Sequence, residues 1–485
     1  MKRFKVIPYI NLILICWMWF FSTMSVSANQ DIENQLDAYI ESYLDKYEVP
    51  GASVAIVHNN EVYYSNSWGG SEESGEQVTT DTPFTIGSIS KSLTGLAIMK
   101  LIDENIIKLD DPVQKHIPWF KLEDNQDEKQ ITIKQLLTQT SGFSTFTGLS
   151  ISDKESKDFD AIRKNVESLS SVSLTALPGE KHQYSNANFV ILGALIEEVT
   201  NQTYTEYMEQ NVFAPLGMKN AATDYKTAYE KGYRSGYQSW FGIPLKSSIT
   251  YDNGGAPYGY IAASVEDLVQ NIKFLSGKDF NNFLSEEMMN LYLTPHVPTG
   301  ENRYYGLGIR ISNPDTQDEM IWHSGSTPDS HAELFYIPKT DWGGVILTNK
   351  NNQLEEAGLY YLKAGIINIL HGDEPVDIPK NTPTIQFIIL GFICLLLGLF
   401  IYLLLKLKSE KIRKKGIWAI LGTFSLILSI VLIPILVYFV GSPWHAIQAF
   451  SPECALLTII TVILLAVNGF LSTRISFKKF KSEFR

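Results

Sequence analysis

Thr85-Ile86-Gly87-Ser88-Ile89-Ser90-Lys91-Ser92-Leu93 runs on into Thr94-Gly95-Leu96-Ala97-Ile98-Met99, a polar, glycine-containing entry to an apolar helical stretch. A serine at the first turn of a helix and a lysine three residues later share one face, with Cβ atoms about 5–6 Å apart. That spacing lets an amine take the proton of the hydroxyl, and the helix N-terminus adds positive potential that favours an alkoxide. Taken alone the pattern is weak. The same chain contains Ser476-Phe477-Lys478-Lys479, and a serine beside a helix start is often only a cap.

Two further stretches carry chemistry. Pro178-Gly179-Glu180-Lys181-His182-Gln183-Tyr184-Ser185-Asn186 presents Tyr-x-Asn just before a helical pattern. A phenol has an ordinary pKa near ~10, so it acts as a base only where cations or strong donors favour phenolate, and Lys91 is a candidate neighbour. Tyr251-Asp252-Asn253 fits the same pattern, so this signal too is weak by itself. The third stretch is Trp322-His323-Ser324-Gly325-Ser326, where glycine permits close backbone approach and a following N–H can face an oxyanion. Standing alone it reads as a surface turn.

The flanks supply the fold. Ala52–Val57 and Glu61–Ser65 surround the turn-forming His58-Asn59-Asn60, which reads as a β-hairpin. Ala332–Ile337 and Gly343–Leu347 form a second hairpin about Pro338-Lys339-Thr340-Asp341, and Glu355–Leu370 follows with helical spacing. Between them lie helical patterns at Lys91–Glu104, Ile133–Thr138, Asn188–Thr200, Tyr204–Val212 and Val265–Leu275. Strands at both ends and helices between them predict an α+β domain, with an antiparallel sheet formed by both ends of the domain and packed against a mostly helical subdomain.

The order Ser-x-x-Lys, Tyr-x-Asn, His-x-Gly before the last hairpin resembles the serine β-lactamase-like family: class C β-lactamases, low-molecular-weight penicillin-binding DD-peptidases, related esterases and FmtA-like proteins. The resemblance runs from about Leu36 to Leu370. It takes in Leu136-Leu137-Thr138-Gln139-Thr140-Ser141-Gly142, Phe213-Ala214-Pro215-Leu216-Gly217-Met218, Tyr305-Gly306-Leu307-Gly308 and Val345-Ile346-Leu347-Thr348-Asn349. It implies that Ser88 forms an acyl-enzyme and that Lys91 and Tyr184 share the base role, with Tyr184 protonating the leaving group. The oxyanion hole would use the N–H groups of Ser88 and Ser326, the latter following Gly325. Asn186 would hold a substrate amide carbonyl, His323 would line the pocket beside the leaving group, and Asn349 is a weaker substrate contact that fits a strand-end cap equally well. Many family β-lactamases have lysine where His323 stands, and an imidazole is largely neutral at pH 7. Efficient β-lactam hydrolysis is therefore not expected. The resemblance calls for no cofactor.

Outward from this domain the composition changes. Lys2, Arg3 and Lys5 precede an apolar run and Val26-Ser27-Ala28, as in a secretory signal over residues 1–28. Residues 29–371 are the expected extracytoplasmic domain, and 372–384, rich in proline and acids, a linker. Ile385–Leu405, Ile417–Val440 and about Ala455–Leu471 approach the ~20 residues a helix needs to cross a bilayer. Basic clusters follow the first and third of these runs, and the loop from Gly441 to Glu453 has no Lys or Arg. The positive-inside rule then makes 472–485 a basic cytoplasmic tail and places the large domain outside, in a multi-pass protein of the cell membrane.

Charge and cysteine usage narrow the function. The chain carries −12; residues 1–28 hold three cations and 384–485 hold eleven basic and three acidic side chains, which leaves −23 on 29–383. A field of that sign repels phosphate backbones and argues against nucleic acid as a partner. Cys16, Cys394 and Cys454 all fall in the expected signal or spans, so the outer domain has neither disulfide nor thiol chemistry. Histidine spacing supports no metal site, and the absence of Gly-x-Ser-x-Gly disfavours an α/β-hydrolase. The leading expectation is a serine hydrolase acting on a D-amino-acyl peptide, ester or other wall-derived substrate. The alternatives are a prodrug-activating acyl-D-asparagine peptidase, suggested by the signal, domain and three-span architecture, and a non-catalytic protein that binds wall fragments.

Overall fold

The computed structural model describes residues 30–70, 75, 77–122, 130–278, 283–409 and 414–478. The expected signal and the last seven residues of the expected tail lie outside the described residues. The chain forms two compact units: the described residues up to Glu48 with Glu355–Asn381, and Val49–Leu354 with the chain from Thr382 onward. In the first unit a helix over residues 30–47 meets the helix Ala357–His371. The Tyr39 hydroxyl donates to the carbonyls of Tyr361 (2.9 Å) and Val376 (2.8 Å), and Lys46 Nζ donates to Ile378 O (3.2 Å). The segment read as a linker is thus tied along its first half to the N-terminal helix.

The second unit is built on an eight-stranded sheet: β1 Gly51–His58, β2 Glu61–Gly69, β3 Val297–Gly300, β4 Arg303–Tyr305, β5 Arg310–Ser312, β6 Met320–Thr327, β7 Ser330–Ile337 and β8 Trp342–Thr348. Their order is β2-β1-β8-β7-β6-β5-β4-β3, with every pair antiparallel. Both expected hairpins are present, and β1 pairs with β8 from Ala52↔Thr348 to His58↔Trp342, so the two ends of the domain lie side by side in the sheet. The stretch around His323 differs from a turn. It lies in β6, where burial alternates with period two and puts Ile321, His323, Gly325 and Thr327 on the inner face.

The helix Ser90–Asp103 has eleven of its fourteen residues buried, which makes it a central core helix rather than an amphipathic surface one. Ser88 lies just ahead of it in a 3₁₀ turn, Gly87–Ile89, and makes no cap bond. The helix Asn186–Thr200 starts two residues earlier than its spacing predicts. Val265–Leu275 matches its expected bounds and begins in a capping box at Ser264.

Three helices, Thr384–Lys408, Lys415–Val440 and Pro452–Phe477, are long and apolar enough to cross a membrane. The third packs against both others, and Asn468 Nδ2 donates to Leu396 O (2.9 Å) between the third and the first. Its first turn brings in a carboxylate that the apolar pattern left outside the span. Glu453 is 1% exposed and accepts from Asn352 Nδ2 and Gln386 Nε2, both at 2.9 Å. The short helix Trp444–Phe450 joins the second and third long helices.

Candidate active site

Two glycines bring the nucleophile turn against the sheet. Gly87 has φ +52, and a Cβ there would strike the Ser326 backbone nitrogen; a Cβ on Gly325 would strike Ile86 O and lie 2.7 Å from Ser88 N. The turn and β6 therefore pass at backbone contact, with the N–H groups of Ser88 and Ser326 on neighbouring strands of chain. The far side of the turn is held by Ile86 N donating to Ile261 O (2.9 Å) and Ile261 N donating to Ser90 Oγ (3.1 Å).

Lys91 is fully buried, with Nζ 2.9 Å from Ser88 Oγ and donating to Tyr258 O at 2.7 Å. Burial holds its pKa well below the ordinary lysine value. The Arg310 guanidinium pushes the same way, and Asp153 opposes. The site thus favours a neutral amine with a lone pair beside a hydroxyl. Asp153, which accepts from Tyr260 OH (2.7 Å), is itself pushed up to about 6 by burial.

Tyr184 lies over the same group, its ring centroid 4.9 Å from Lys91 Nζ. Burial raises the phenol's pKa, while Arg310 and the Ser88 hydroxyl act to lower it. The loop bearing Tyr184 hangs on one buried residue, Gln139, whose backbone is left-handed (φ +61). Its Oε1 accepts from Ser185 N (2.9 Å) and from Asn188 Nδ2, and its carbonyl accepts from Gln183 N (2.8 Å). Thr145 Oγ1 adds a bond to Tyr184 O (2.7 Å). Asn186, first residue of its helix, donates from Nδ2 to Ser152 Oγ (3.0 Å).

His323 is 1% exposed and its Nδ1 lies 2.7 Å from Ser324 O, a carbonyl that can only accept, so Nδ1 carries a proton. Its ring centroid is 6.3 Å from that of Tyr184. Ser326 Oγ meets His331 Nδ1 at 3.2 Å. Ser88, Lys91, Tyr184, His323, Gly325 and Ser326 are therefore brought together. Asn349 is not among them. It lines a separate cavity of about 290 Å³ with Phe84, Lys231 and Lys246, and its N–H donates to Gly51 O (3.0 Å) at the end of β8. Among the described residues no group of three or more His, Cys, Asp and Glu side chains could hold a metal ion.

Motif reading missed Arg310. It stands on β5 opposite Trp322 and Tyr305, its guanidinium 5.1 Å from the Tyr184 ring centroid and 5.5 Å from those of Tyr305 and Trp322. A permanent cation thus reaches the tyrosine from the strand next to His323. The one clue in the sequence was its position two residues after Tyr305-Gly306-Leu307-Gly308.

A family model described as Beta-lactamase matches residues 36–365, which span every element of this site. The chain belongs to the beta-lactamase family. It is 31% identical to Protein flp of Staphylococcus aureus over 344 residues, 70% of this chain and 67% of that one. It is also 32% identical to the Teichoic acid D-alanine hydrolase of the same organism over 189 residues, 39% of this chain and 43% of the relative. Among solved structures, the octameric penicillin-binding protein homologue from Pyrococcus abyssi superposes with a TM-score of 0.63 at 26% identity, covering 71% of this chain and 78% of its own. Family membership and hydrolase relatives make this beta-lactamase-family chain a serine hydrolase.

Proposed function

We propose that the chain is a membrane-anchored serine hydrolase, its beta-lactamase-like domain on the outer face, that cleaves D-amino-acyl esters or amides of envelope material through an acyl-enzyme on Ser88. The observation that carries this is the buried Lys91 amine, biased to its neutral form, 2.9 Å from Ser88 Oγ. In this reading Ser88 Oγ attacks the acyl carbonyl as Lys91 Nζ takes the hydroxyl proton. The carbonyl oxygen, now negative, is held by the N–H groups of Ser88 and Ser326. Burial keeps Tyr184 a phenol near neutral pH, which suits it to protonate the departing alcohol or amine and then recover a proton from Lys91. Water next attacks the acyl-enzyme with Lys91 again as base, releasing the acid and restoring the hydroxyl. Asn186 has a second amide N–H beyond the one given to Ser152, available to a substrate carbonyl. His323 lines the leaving-group side.

The D-alanyl ester is the favoured substrate class. A relative is named for hydrolysing D-alanine from teichoic acid. A D-alanyl ester also bears an ammonium, which the net −23 of residues 29–383 attracts. The outward placement of the domain rests on the basic clusters after the first and third long helices.

The test uses the full chain in detergent, treated with a fluorophosphonate, a fluorescent penicillin and a D-alanyl ester, with intact-mass readout and alanine release. Phosphonylation and alanine release are expected, both lost in Ser88→Ala. A folded chain that reacts with none of the three overturns the proposal.

A further inference from the structure

A hairpin formed by Tyr237–Trp240 and Ile243–Lys246 combines an apolar composition with exposure. Its ten residues, Tyr-Gln-Ser-Trp-Phe-Gly-Ile-Pro-Leu-Lys, contain no acid and one base. Directly opposed residues of an antiparallel pair project to the same face. The register pairs Gln238 with Leu245 and Trp240 with Ile243, so these four share one face. Tyr237 and Lys246 share the other, and there Lys246 Nζ lies 4.8 Å from the Tyr237 ring.

Three observations orient the apolar face. First, Ile243 is 56% exposed and Leu245 47%, two aliphatic side chains adjoining on one face of the strand. Second, Gln238, on that same face, donates to Ala449 O (2.6 Å) in the connection between the second and third long helices. Third, the turn residue Phe241 adopts a left-handed φ of +54, uncommon for an aromatic, and sets its ring 5.7 Å from that of Phe387 in the first turn of the first long helix. Tyr438 and Phe439, at the end of the second long helix that leads into the same connection, are 81% and 80% exposed. Aromatic side chains gather where spans leave the hydrocarbon.

We propose that the hairpin Tyr237–Lys246 is a membrane-insertion element, which seats Trp240, Phe241, Ile243 and Leu245 in the interfacial layer of the bilayer crossed by the three long helices. This rests on the reading that those helices cross a membrane. The hairpin tip meets the first helix where that helix enters the bilayer, so the exposed aliphatics lie at headgroup and upper acyl depth. Apolar insertion there stabilises in proportion to the apolar area it takes out of water. The catalytic domain then has a second hold on the lipid surface, independent of its covalent link, and the seat limits how far the site can tilt from substrates at that surface.

The test uses the full chain in lipid nanodiscs, with NBD attached to one cysteine at a time: Ile243→Cys or Leu245→Cys, the native Cys394 of the first helix, and Val62→Cys on the edge strand β2, which is 49% exposed. Other cysteines are changed to serine. Doxyl-labelled lipid reports insertion and aqueous iodide reports exposure to water. Labels at 243 and 245 are expected to be quenched by the shallow doxyl lipid, as Cys394 is by a deeper one, and to be at least about threefold less sensitive to iodide than a label at 62. Iodide quenching at 243 and 245 equal to that at 62, with Cys394 still lipid-quenched, overturns the insertion alone. Shielding from both quenchers overturns it in favour of a protein contact. Failure of lipid quenching at Cys394 overturns the membrane reading and the proposal with it.

Discussion

Tyr184-Ser185-Asn186 and Tyr251-Asp252-Asn253 present the same pattern, each beside a helical turn, and their fates diverge completely. Tyr251 is fully buried and its hydroxyl bonds to Ala222 O at 3.3 Å, while Asn253 accepts from Tyr225 N (2.7 Å) and donates to Lys157 O (3.1 Å). These side-chain bonds tie loops together. Tyr184 is half-buried, with a lysine amine and a guanidinium at its ring and a serine hydroxyl at its oxygen. In the proposed reaction, what separates a structural tyrosine from a reactive one is the set of charges that other parts of the chain bring to it. Burial raises the pKa of both, and only Tyr184 has a neighbouring cation that counters it.

The comparison breaks most directly at the two hydroxyls. Tyr184→Phe is expected to lower kcat/KM for ester substrates by ~10²–10⁴, the range for losing a positioned proton donor, with the melting temperature unchanged. Equal activity in this variant would show the two tyrosines to be alike. Gly325→Ala comes next. The new methyl would wedge β6 off the Ser88 turn and spoil the paired N–H groups, so initial-rate assays should show kcat down ~10²-fold with KM little changed.

Charge should sharpen the contrast in opposite directions. Arg310 lowers the pKa of Lys91 and of Tyr184, so Arg310→Gln should move both limbs of the pH profile of kcat/KM to higher pH. Asp153 raises the pKa of Lys91, so Asp153→Asn should move the acid limb to lower pH. An unmoved limb in either variant would remove that group from the electrostatics of the site.

Asp153 also carries a stability signature. Its carboxyl sits at about 6 in the fold, above the ~3.9 of an unfolded chain. The folded state therefore binds the proton more tightly, and the stability this confers, present below pH 4, is lost as pH rises through 6. Thermal melts should show Asp153→Asn more stable than the parent above pH 6, by no more than about 2 kcal/mol after allowance for partial exposure. The difference should vanish below pH 4. Tyr251→Phe is the smallest effect: activity within about twofold and a loss of about 1 kcal/mol for one hydrogen bond.

Much of the fold was legible because it follows from local pattern. Both hairpins, the helix Val265–Leu275 and the three long apolar helices were readable from periodicity, turn residues and length, which depend on neighbours within a few positions. The strand character of Trp322–Ser326 was obscured by its glycine and polar residues. They sit in a strand because they meet the Ser88 turn at backbone contact, a requirement set by a segment more than two hundred residues away. Asn349, which the family resemblance offered as a weaker substrate contact or a strand-end cap, stands at the end of β8 and lines a different cavity.

By itself the sequence determined which functional groups are available and the local element each rides on: Ser88 and Lys91 on one helical entry, Tyr184 and Asn186 at another, His323 to Ser326 before the last hairpin. Spacing along a chain constrains only residues within a turn or two of each other. The tertiary structure alone decided that Lys91 would be stripped of water, that Arg310 would stand over Tyr184, and that Gln139 would carry the tyrosine loop. Those outcomes depend on desolvation and on Coulomb interactions across a few ångströms of space, quantities that come into being only when distant segments pack together.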